Sequence, residues 1–288
     1  MLAPAKINLT LEILARRADG YHALRSVMVP IALGDELRFE AAERFAFRCD
    51  PPSLEDDNLV VRALARLGLD AAPLAVTLRK RIPVGAGLGG GSSDAAGVLR
   101  AAMDGAFGSR GSRDWLADAR ALGSDVPFFL ADGPALVEGT GERVTALGAA
   151  PPWWVVLLVP AVHVATGAAY ARLAASRAGS PAPTRARSES ASLRCAEALQ
   201  RGDYRGVLEA MTNDFEPVVR GAYPEVDGAL RALEQAGAPG RAMLSGSGGA
   251  CFALFDAAAP AQAFAARLRG PAGTRMEMVP FAGSVTWR

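Results

Sequence analysis

The sequence predicts a mixed α and β protein of two domains, and three observations carry that expectation. Strand-like runs and helical periodicities are interspersed along the chain without an internal repeat. The 288 residues exceed an average domain, which holds roughly 100 to 200. The pattern also changes near residue 150, where an Ala/Pro segment over 149–152 separates two blocks. An N-terminal domain is therefore expected at 1–148 and a C-terminal one at 149–288.

In chain order, residues 7–14 alternate apolar and polar as a strand does, and Ala18-Asp19-Gly20 supplies turn chemistry before a second strand-like run over 24–33. Gly34-Asp35 reads as another turn, leading into 36–40. Residues 58–67 place Leu59, Val60, Ala63, Leu64 and Leu67 at helical spacing, with Asp57 as the expected N-cap and Gly68 as the stop. Residues 74–78 read as a strand, and the glycine-rich stretch 85–91 joins it to an apolar helix over 93–103. A helix over about 113–122 takes Ser112 as its cap. Pro127 fits the first turn of a short helix that Asp125 opens. The second block begins with a strand over 153–159. The Ser-, Pro- and Arg-rich stretch 176–192 reads as a mobile surface loop. Helices are expected at 192–201 and 224–236. The second glycine loop, Ser245-Gly246-Ser247-Gly248-Gly249, precedes a strand over 250–255, a helix over 261–268 and a strand over 276–280.

Composition excludes several functions. Lys plus Arg at 31 against Asp plus Glu at 30 leaves a net charge of +1, so no whole-protein field captures nucleic acid or an anionic membrane. An anionic ligand must be held locally. Only Lys6 and Lys80 are lysines and every other basic residue is Arg, which suggests positions where a compact ammonium fits and a planar guanidinium does not. Cys49, Cys195 and Cys251 are odd in number and far apart, which argues against a disulfide framework or a zinc cluster and for a reducing cytoplasm. The N-terminus has no charged segment followed by an apolar one, so no secretory signal is expected. The longest apolar stretch, 153–165, is broken by Pro160 and His163 and falls short of the roughly 20 residues of a membrane span. His163 reads as a structural residue at a strand end, and Arg185-Ala186-Arg187 as a solvated loop. A Ser-His-Asp hydrolase would need G-x-S-x-G, which is not found.

The sharpest signal is Gly85-Ala86-Gly87-Leu88-Gly89-Gly90-Gly91-Ser92-Ser93. Glycines let backbone N–H groups close around an anion, and the helix that follows adds unsatisfied donors and a positive dipole end, so the segment reads as a phosphate cradle. Gly85, Gly87 and Gly90 also satisfy G-x-G-x-x-G, which keeps a dinucleotide-dependent dehydrogenase open. Arg79-Lys80-Arg81-Ile82-Pro83 argues against it, because Pro does not belong in a central strand. No G-x-x-x-x-G-K-[ST] occurs. Read alone, Asp125 fits a helix N-cap, Lys6 a surface charge and Tyr21-His22 a turn, although a strand does put residues 6 and 8 on one face.

Taken together, five segments resemble a known family. They are Ala3-Pro4-Ala5-Lys6-Ile7-Asn8-Leu9, Arg17-Ala18-Asp19-Gly20-Tyr21-His22, the stretch 83–93, Leu122-Gly123-Ser124-Asp125-Val126-Pro127-Phe128-Phe129 and Leu244-Ser245-Gly246-Ser247-Gly248. They are similar to the small-alcohol kinases of galactokinase, homoserine kinase, mevalonate kinase and phosphomevalonate kinase type, in the branch whose substrate carries a cytidine diphosphate group. The resemblance implies two α+β domains, an N-terminal one with the ATP loop and a C-terminal one of ferredoxin-like type, with the active site in the cleft. It implies ATP and Mg²⁺ as cofactors, with Pro83, Val84, Gly85, Ala86, Gly87, Leu88, Gly89, Gly90, Gly91, Ser92 and Ser93 around the nucleotide and Asn58 near the adenine. Asp125 would be the base and Lys6 its cationic partner. Asn8, Tyr21, His22, Thr166 and Tyr170 would hold the substrate, the cytosine lying between the two tyrosines, although Gly167 stands where the family usually has proline. Asp94, after the serines, places a negative charge near the anion site and would face Mg²⁺. The implied reaction is ATP-dependent phosphorylation of the 2-hydroxyl of a cytidyl alcohol, toward isoprenoid precursors. A kinase of another small alcohol, a dehydrogenase and a non-catalytic nucleotide-binding module remain alternatives.

Overall fold

Two long N-terminal strands form the spine of the larger sheet. The computed structural model describes residues 1–16, 22–108, 111–178 and 190–282, so Tyr21, the 18–20 turn and Arg185-Ala186-Arg187 lie outside the described residues. Strand β1 (Leu2–Arg16) pairs antiparallel with β2 (His22–Ala41). The pairing shifts register between Pro4 and Ala5 and again between Asn8 and Thr10, so bulges bracket Lys6 and Asn8. Bulges re-aim side chains, and these aim the two at the site described below. The alternation in β1 suggests a half-solvated strand, yet its polar members Lys6, Asn8, Thr10 and Glu12 are buried too. They are covered by protein and hydrogen-bonded: Thr10 Oγ1 donates to Ser192 Oγ at 2.8 Å and Ser190 Oγ donates to Glu12 Oε2 at 2.6 Å.

The larger sheet has the order β3-β4-β2-β1-β8, with β3 at Ala46–Asp50, β4 at Leu74–Arg79 and β8 at Thr212–Asn213. Strand β5 (Ala135–Gly139) adds to β2, and β6 (Arg143–Ala146) to β5. One face of this sheet packs on helices α1 (Leu59–Arg66), α2 (Gly90–Met103), α3 (Trp115–Leu122) and α4 (Val126–Phe129), through Met28, Leu37, Val76, Val98 and Phe128 among others. From the other face Ile7, Leu9, Val27 and Val29 pack against Val155, Leu157 and Phe252 of the second sheet, with α6 (Ala191–Gln200) and α7 (Tyr204–Ala210).

The second sheet has the order β11-β7-β10-β9, from β7 (Trp154–Val159), β9 (Met243–Leu244), β10 (Cys251–Phe255) and β11 (Arg275–Pro280), all pairs antiparallel. Its outer face buries Val156, Leu158, Cys251 and Ala253 under α5 (Thr166–Ser176), α8 (Glu216–Ala222), α9 (Pro224–Gln235) and α10 (Ala258–Arg267). In chain order this is strand, helices, strand, strand, helix, strand, with the fourth strand beside the first: the ferredoxin-like arrangement. The protein is thus a two-domain α+β fold. The boundary expected at 148/149 falls between β6 and β7, while β8 returns from the later block to join β1. Strand β4, ahead of the glycine loop, lies antiparallel to β2, so the doubly wound parallel sheet of a dehydrogenase does not form. Among the described residues no helix is long and apolar enough to cross a membrane.

Several local expectations are corrected. Gly34-Asp35 is no turn: β2 runs through it, because the Asp35 side chain accepts from the amides of Arg81 and Ile82 at 2.5 and 2.8 Å and holds the chain in the sheet. Asn58, not Asp57, caps α1, accepting from Val60 N at 2.9 Å, and Asp57 takes φ 50°. Asp114, not Ser112, caps α3 through Ala117 N at 3.0 Å. The stretch read as a loop over 176–192 is shorter within the described residues, since α5 reaches Ser176 and Ser190 caps α6. His163 lies beyond the end of β7, exposed and set against Gly85.

The two glycine loops interlock. A Cβ on Gly87, whose φ is +80°, would stand 2.1 Å from the Ser245 carbonyl oxygen, and a Cβ on Gly248 would stand 2.1 Å from the Gly87 nitrogen. Ala250 N donates to Ala86 O at 2.9 Å and Ser245 Oγ to Gly87 O at 3.1 Å, fastening the contact. Gly87→Ala therefore adds backbone strain of about 1 to 3 kcal/mol and forces the loops apart. Chemical denaturation should show that loss, together with weaker binding of the ATP that the resemblance implies for this loop. Gly221→Ala, in α8 with open space around it, should be neutral or slightly stabilising. Parental stability and ATP affinity in Gly87→Ala would mean that the interlock does not hold the loop.

Candidate active site

A cavity of about 1170 Å³ opens between the glycine loop, β1, the start of α4 and the first turns of α1 and α5. One wall is residues 82–92, where Gly85, Gly87 and Gly89 take φ of 69°, 80° and 73°. These left-handed conformations turn the chain so that α2 begins at Gly90 with its N-terminus toward the cavity, as an anion cradle requires. Lys6 N donates to Leu88 O at 2.9 Å, tying the loop to β1.

The floor is built on Lys6. Its buried ammonium donates to Asn8 Oδ1 at 2.6 Å and to Gly87 O at 2.9 Å, and lies 3.6 Å from Asp125 Oδ2. Burial pushes the Lys6 pKa below the ordinary lysine value, while the Asp125 carboxylate works in the opposite direction. Asp125 stands at the N-cap position of α4, yet its side chain makes no capping bond and is free to face the ammonium. The helix is started instead by Pro127, whose missing N–H and fixed φ suit a first turn. Asn8 lines the cavity and is held in place: its Nδ2 donates to Ser26 Oγ at 2.8 Å, and Ser26 Oγ donates to Thr10 O at 2.6 Å. It therefore positions Lys6.

Beneath the loop lies a trio that the sequence signals only through the scarcity of lysine. Lys80 Nζ donates to Asp35 Oδ2 at 2.5 Å and to Asp94 Oδ2 at 2.6 Å, with both carboxylates buried. Burial works against the Lys80 ammonium, but Asp94 and Asp35 outweigh it and its pKa lies above the ordinary value. Asp94 is pushed up to about 7, by burial first and by Asp35 as well, with Lys80 opposing. Two carboxylates around one ammonium leave a buried negative charge, so Lys80 stays charged and Asp94 is the member that gains a proton near neutrality. The trio braces both ends of the glycine loop, since Asp35 also takes the Arg81 and Ile82 amides.

At the other end, the His22 ring stacks on Tyr170 with centroids 5.8 Å apart and planes at 24°, and Tyr170 meets Phe215 edge-on at 4.8 Å. His22 Nδ1 is buried without a partner, as suits a donor or acceptor kept for a ligand. Burial, and then Asp125, raise the Tyr170 pKa. Ser247 Oγ donates to Thr166 Oγ1 at 3.0 Å across the cavity mouth. Thr166 and Tyr170 line the cavity, and so does Asn58, although Asn58 also caps α1 and donates to Leu54 O at 2.7 Å. Phe215, Arg120 and Thr140 line it too and carried no motif in the sequence. Tyr21 lies outside the described residues.

The arrangement offers a phosphate cradle, a carboxylate beside an ammonium and an aromatic slot within one cavity. The chain is similar to known proteins. The family model described as GHMP kinases N terminal domain matches residues 58–133, and that described as GHMP kinases C terminal matches 195–271. The 4-diphosphocytidyl-2-C-methyl-D-erythritol kinase of Symbiobacterium thermophilum is 44% identical over 252 residues, 85% of this chain and 86% of that protein. That of Deinococcus radiodurans is 43% identical, with 92% and 87% covered. The crystal structure of a 4-(cytidine 5'-diphospho)-2C-methyl-D-erythritol kinase superposes with a TM-score of 0.77 at 35% identity, covering 98% of this chain and 99% of that one.

Removing one charge from the trio tests the brace. Lys80→Met leaves Asp35 and Asp94 buried around an apolar side chain, and loss of one partner from a buried ion pair costs about 3 to 5 kcal/mol. Thermal unfolding of Lys80→Met at pH 8 should show a loss of that size, which shrinks toward pH 6 as Asp94 takes its proton. A loss that stays the same at both pH values would contradict the assignment of Asp94 as the titrating member.

Proposed function

The chain belongs to the GHMP kinase family and, within it, to the 4-diphosphocytidyl-2-C-methyl-D-erythritol kinases, and on that footing we propose that it transfers the γ-phosphoryl group of ATP to the 2-hydroxyl of 4-diphosphocytidyl-2-C-methyl-D-erythritol. The observation that carries the reading is the Lys6–Asp125 pair, 3.6 Å apart at the mouth of the glycine loop. Phosphoryl transfer asks mainly for positioning and charge stabilisation. The amides of 85–91 and the N-terminus of α2 hold the phosphates, Asp125 accepts the hydroxyl proton as the oxygen attacks, and Lys6 lies against the Asp125 carboxylate and faces the nascent alkoxide. His22 and Tyr170 receive the cytosine, stacking giving affinity and the free His22 Nδ1 giving selectivity. Tyr21, just before His22, is assigned to the same slot from its motif alone.

Mg²⁺ accepts hard oxygen ligands and keeps most of its water and phosphate partners. Asp94 Oδ1, buried without a partner, and the Ser92 hydroxyl on the cavity wall fit that need and would hold the ion against the phosphates, where it neutralises phosphoryl charge.

ADP release measured with and without the cytidyl alcohol tests the reading. Release should depend on that alcohol and fail with small alcohols lacking the cytidyl group, and Asp125→Asn should lower kcat by about 10²- to 10⁴-fold. Release indifferent to the alcohol, or an Asp125→Asn variant within a few-fold of the parent, would reject it.

The Lys6 environment adds a pH expectation. Its lowered pKa means that it loses its proton before an ordinary lysine does, so the ammonium is removed at a lower pH than an ordinary lysine's. The kcat/KM profile should fall on an alkaline limb below pH 10.5, the ordinary lysine value. In Lys6→Arg, slower throughout, that limb should vanish because guanidinium does not titrate there. A limb that persists in Lys6→Arg would belong to another group.

A further inference from the structure

The cavity must seat two polyphosphates, yet both of its lysines are already engaged. Lys6 lies against Asp125, and Lys80 between Asp35 and Asp94. Among the described residues that line the cavity, the remaining fixed cation is Arg120, in the last turn of α3. Its side chain is exposed and makes no ion pair among the described residues. Its one hydrogen bond among the described residues is a long one, from the guanidinium to Glu142 O at 3.4 Å, and none of those residues neutralises its charge.

Its position is specific. The pairing of Leu24 with Gly139 brings the end of β5 to the end of β2 that starts at His22. The turn over 140–142 that follows β5 therefore leaves the sheet beside the aromatic slot. The same turn leans on the residue before Asp125, since a Cβ on Gly141 would stand 2.3 Å from Ser124 O. Arg120 reaches onto this turn and so sits between the slot and the base. In a cytidyl alcohol the diphosphate lies, by its covalent order, between the cytidine and the hydroxyl to be phosphorylated. Arg120 also has what the job needs, a planar fork matched to phosphate oxygens.

We propose that Arg120 is the cation that binds the diphosphate of the cytidyl substrate, a specificity contact that rests on the cytidyl reading above. It measures the distance between the slot and Asp125. A cytidine without phosphates forgoes this contact, and a small alcohol without the cytidine diphosphate arm gains nothing from it. The triphosphate of ATP, held by the loop on the opposite wall, does not depend on it.

Calorimetric titration of the whole protein with CDP, cytidine and ATP separately tests this, using the parent, Arg120→Ala and Arg120→Lys. The parent should bind CDP more tightly than cytidine. Arg120→Ala should lose about tenfold in CDP affinity, the scale of one charge-assisted contact, while its cytidine and ATP affinities stay at parental values. Arg120→Lys, which keeps the charge but not the fork, should recover part of the loss. In turnover, KM for the cytidyl alcohol should rise about as much as CDP affinity falls. Unchanged CDP affinity in Arg120→Ala would overturn the assignment, and so would a loss confined to ATP. Should the parent bind neither CDP nor cytidine, the cytidyl reading itself falls and the Arg120 assignment with it.

Discussion

The ammonium of Lys6 is the constraint around which the site is organised. A buried cation is expensive unless hydrogen bonds and a counter-charge surround it. Here Asn8 Oδ1, Gly87 O and Asp125 Oδ2 do so, from the same strand, the glycine loop and the start of α4. Each partner is constrained in turn. Asn8 is held by Ser26, Gly87 by Ser245, and Gly89 must lack a side chain because a Cβ there would stand 3.0 Å from both Lys6 Cγ and Phe129 Cζ. So crowded a pocket suits an ammonium on a slender stem, a physical reason for lysine at this position in a chain whose other basic residues, Lys80 apart, are all Arg.

The second organising contact joins the two domains. Gly87 and Gly248 approach so closely that neither tolerates a Cβ, and Asn213, beside β1, donates to Leu244 O at 2.8 Å and Gly246 O at 2.7 Å to hold the second loop in place. The phosphate wall is therefore not a free loop. It is wedged between two sheets, with its far end anchored by the trio at Lys80. A cradle of backbone amides works only if the amides stay where the phosphates need them, and this two-sided fastening preorganises them.

The sequence displays the parts of the site whose chemistry is local. Glycines at positive φ, a strand that puts residues 6 and 8 together and a proline in a first turn are all readable from neighbours in the chain. Asp125 is different, because as a cap or as a base it has the same local surroundings, and only Lys6, more than a hundred residues away, decides between them. Asp35 looks like part of a turn until the amides of Arg81 and Ile82 come across the sheet to claim it. The short elements β8, α7, α8 and β9 have little periodicity of their own and are fixed by what they pack on. Arg120 has no motif at all, and its interest arises entirely from which other cations are already occupied.

That occupancy bears on how a protein with almost no net charge holds highly charged ligands. The cavity carries Asp56, Asp57, Asp94 and Asp125 beside Lys6, Lys80 and Arg120, so it is no pool of positive charge. Long-range attraction cannot select polyphosphates here, and short-range directed contacts must do so. Amide dipoles in the loop and the end of α2 serve one ligand, and a single uncommitted guanidinium is placed to serve the other. Each lysine meanwhile fixes a carboxylate: Lys6 lies against Asp125, and Lys80 holds Asp94 under the loop close to its own titration. On the proposed reading, phosphate recognition and proton chemistry thus use separate groups within one cavity, Asp125 acting as base beside a nucleotide that a uniformly basic pocket would bind by charge alone.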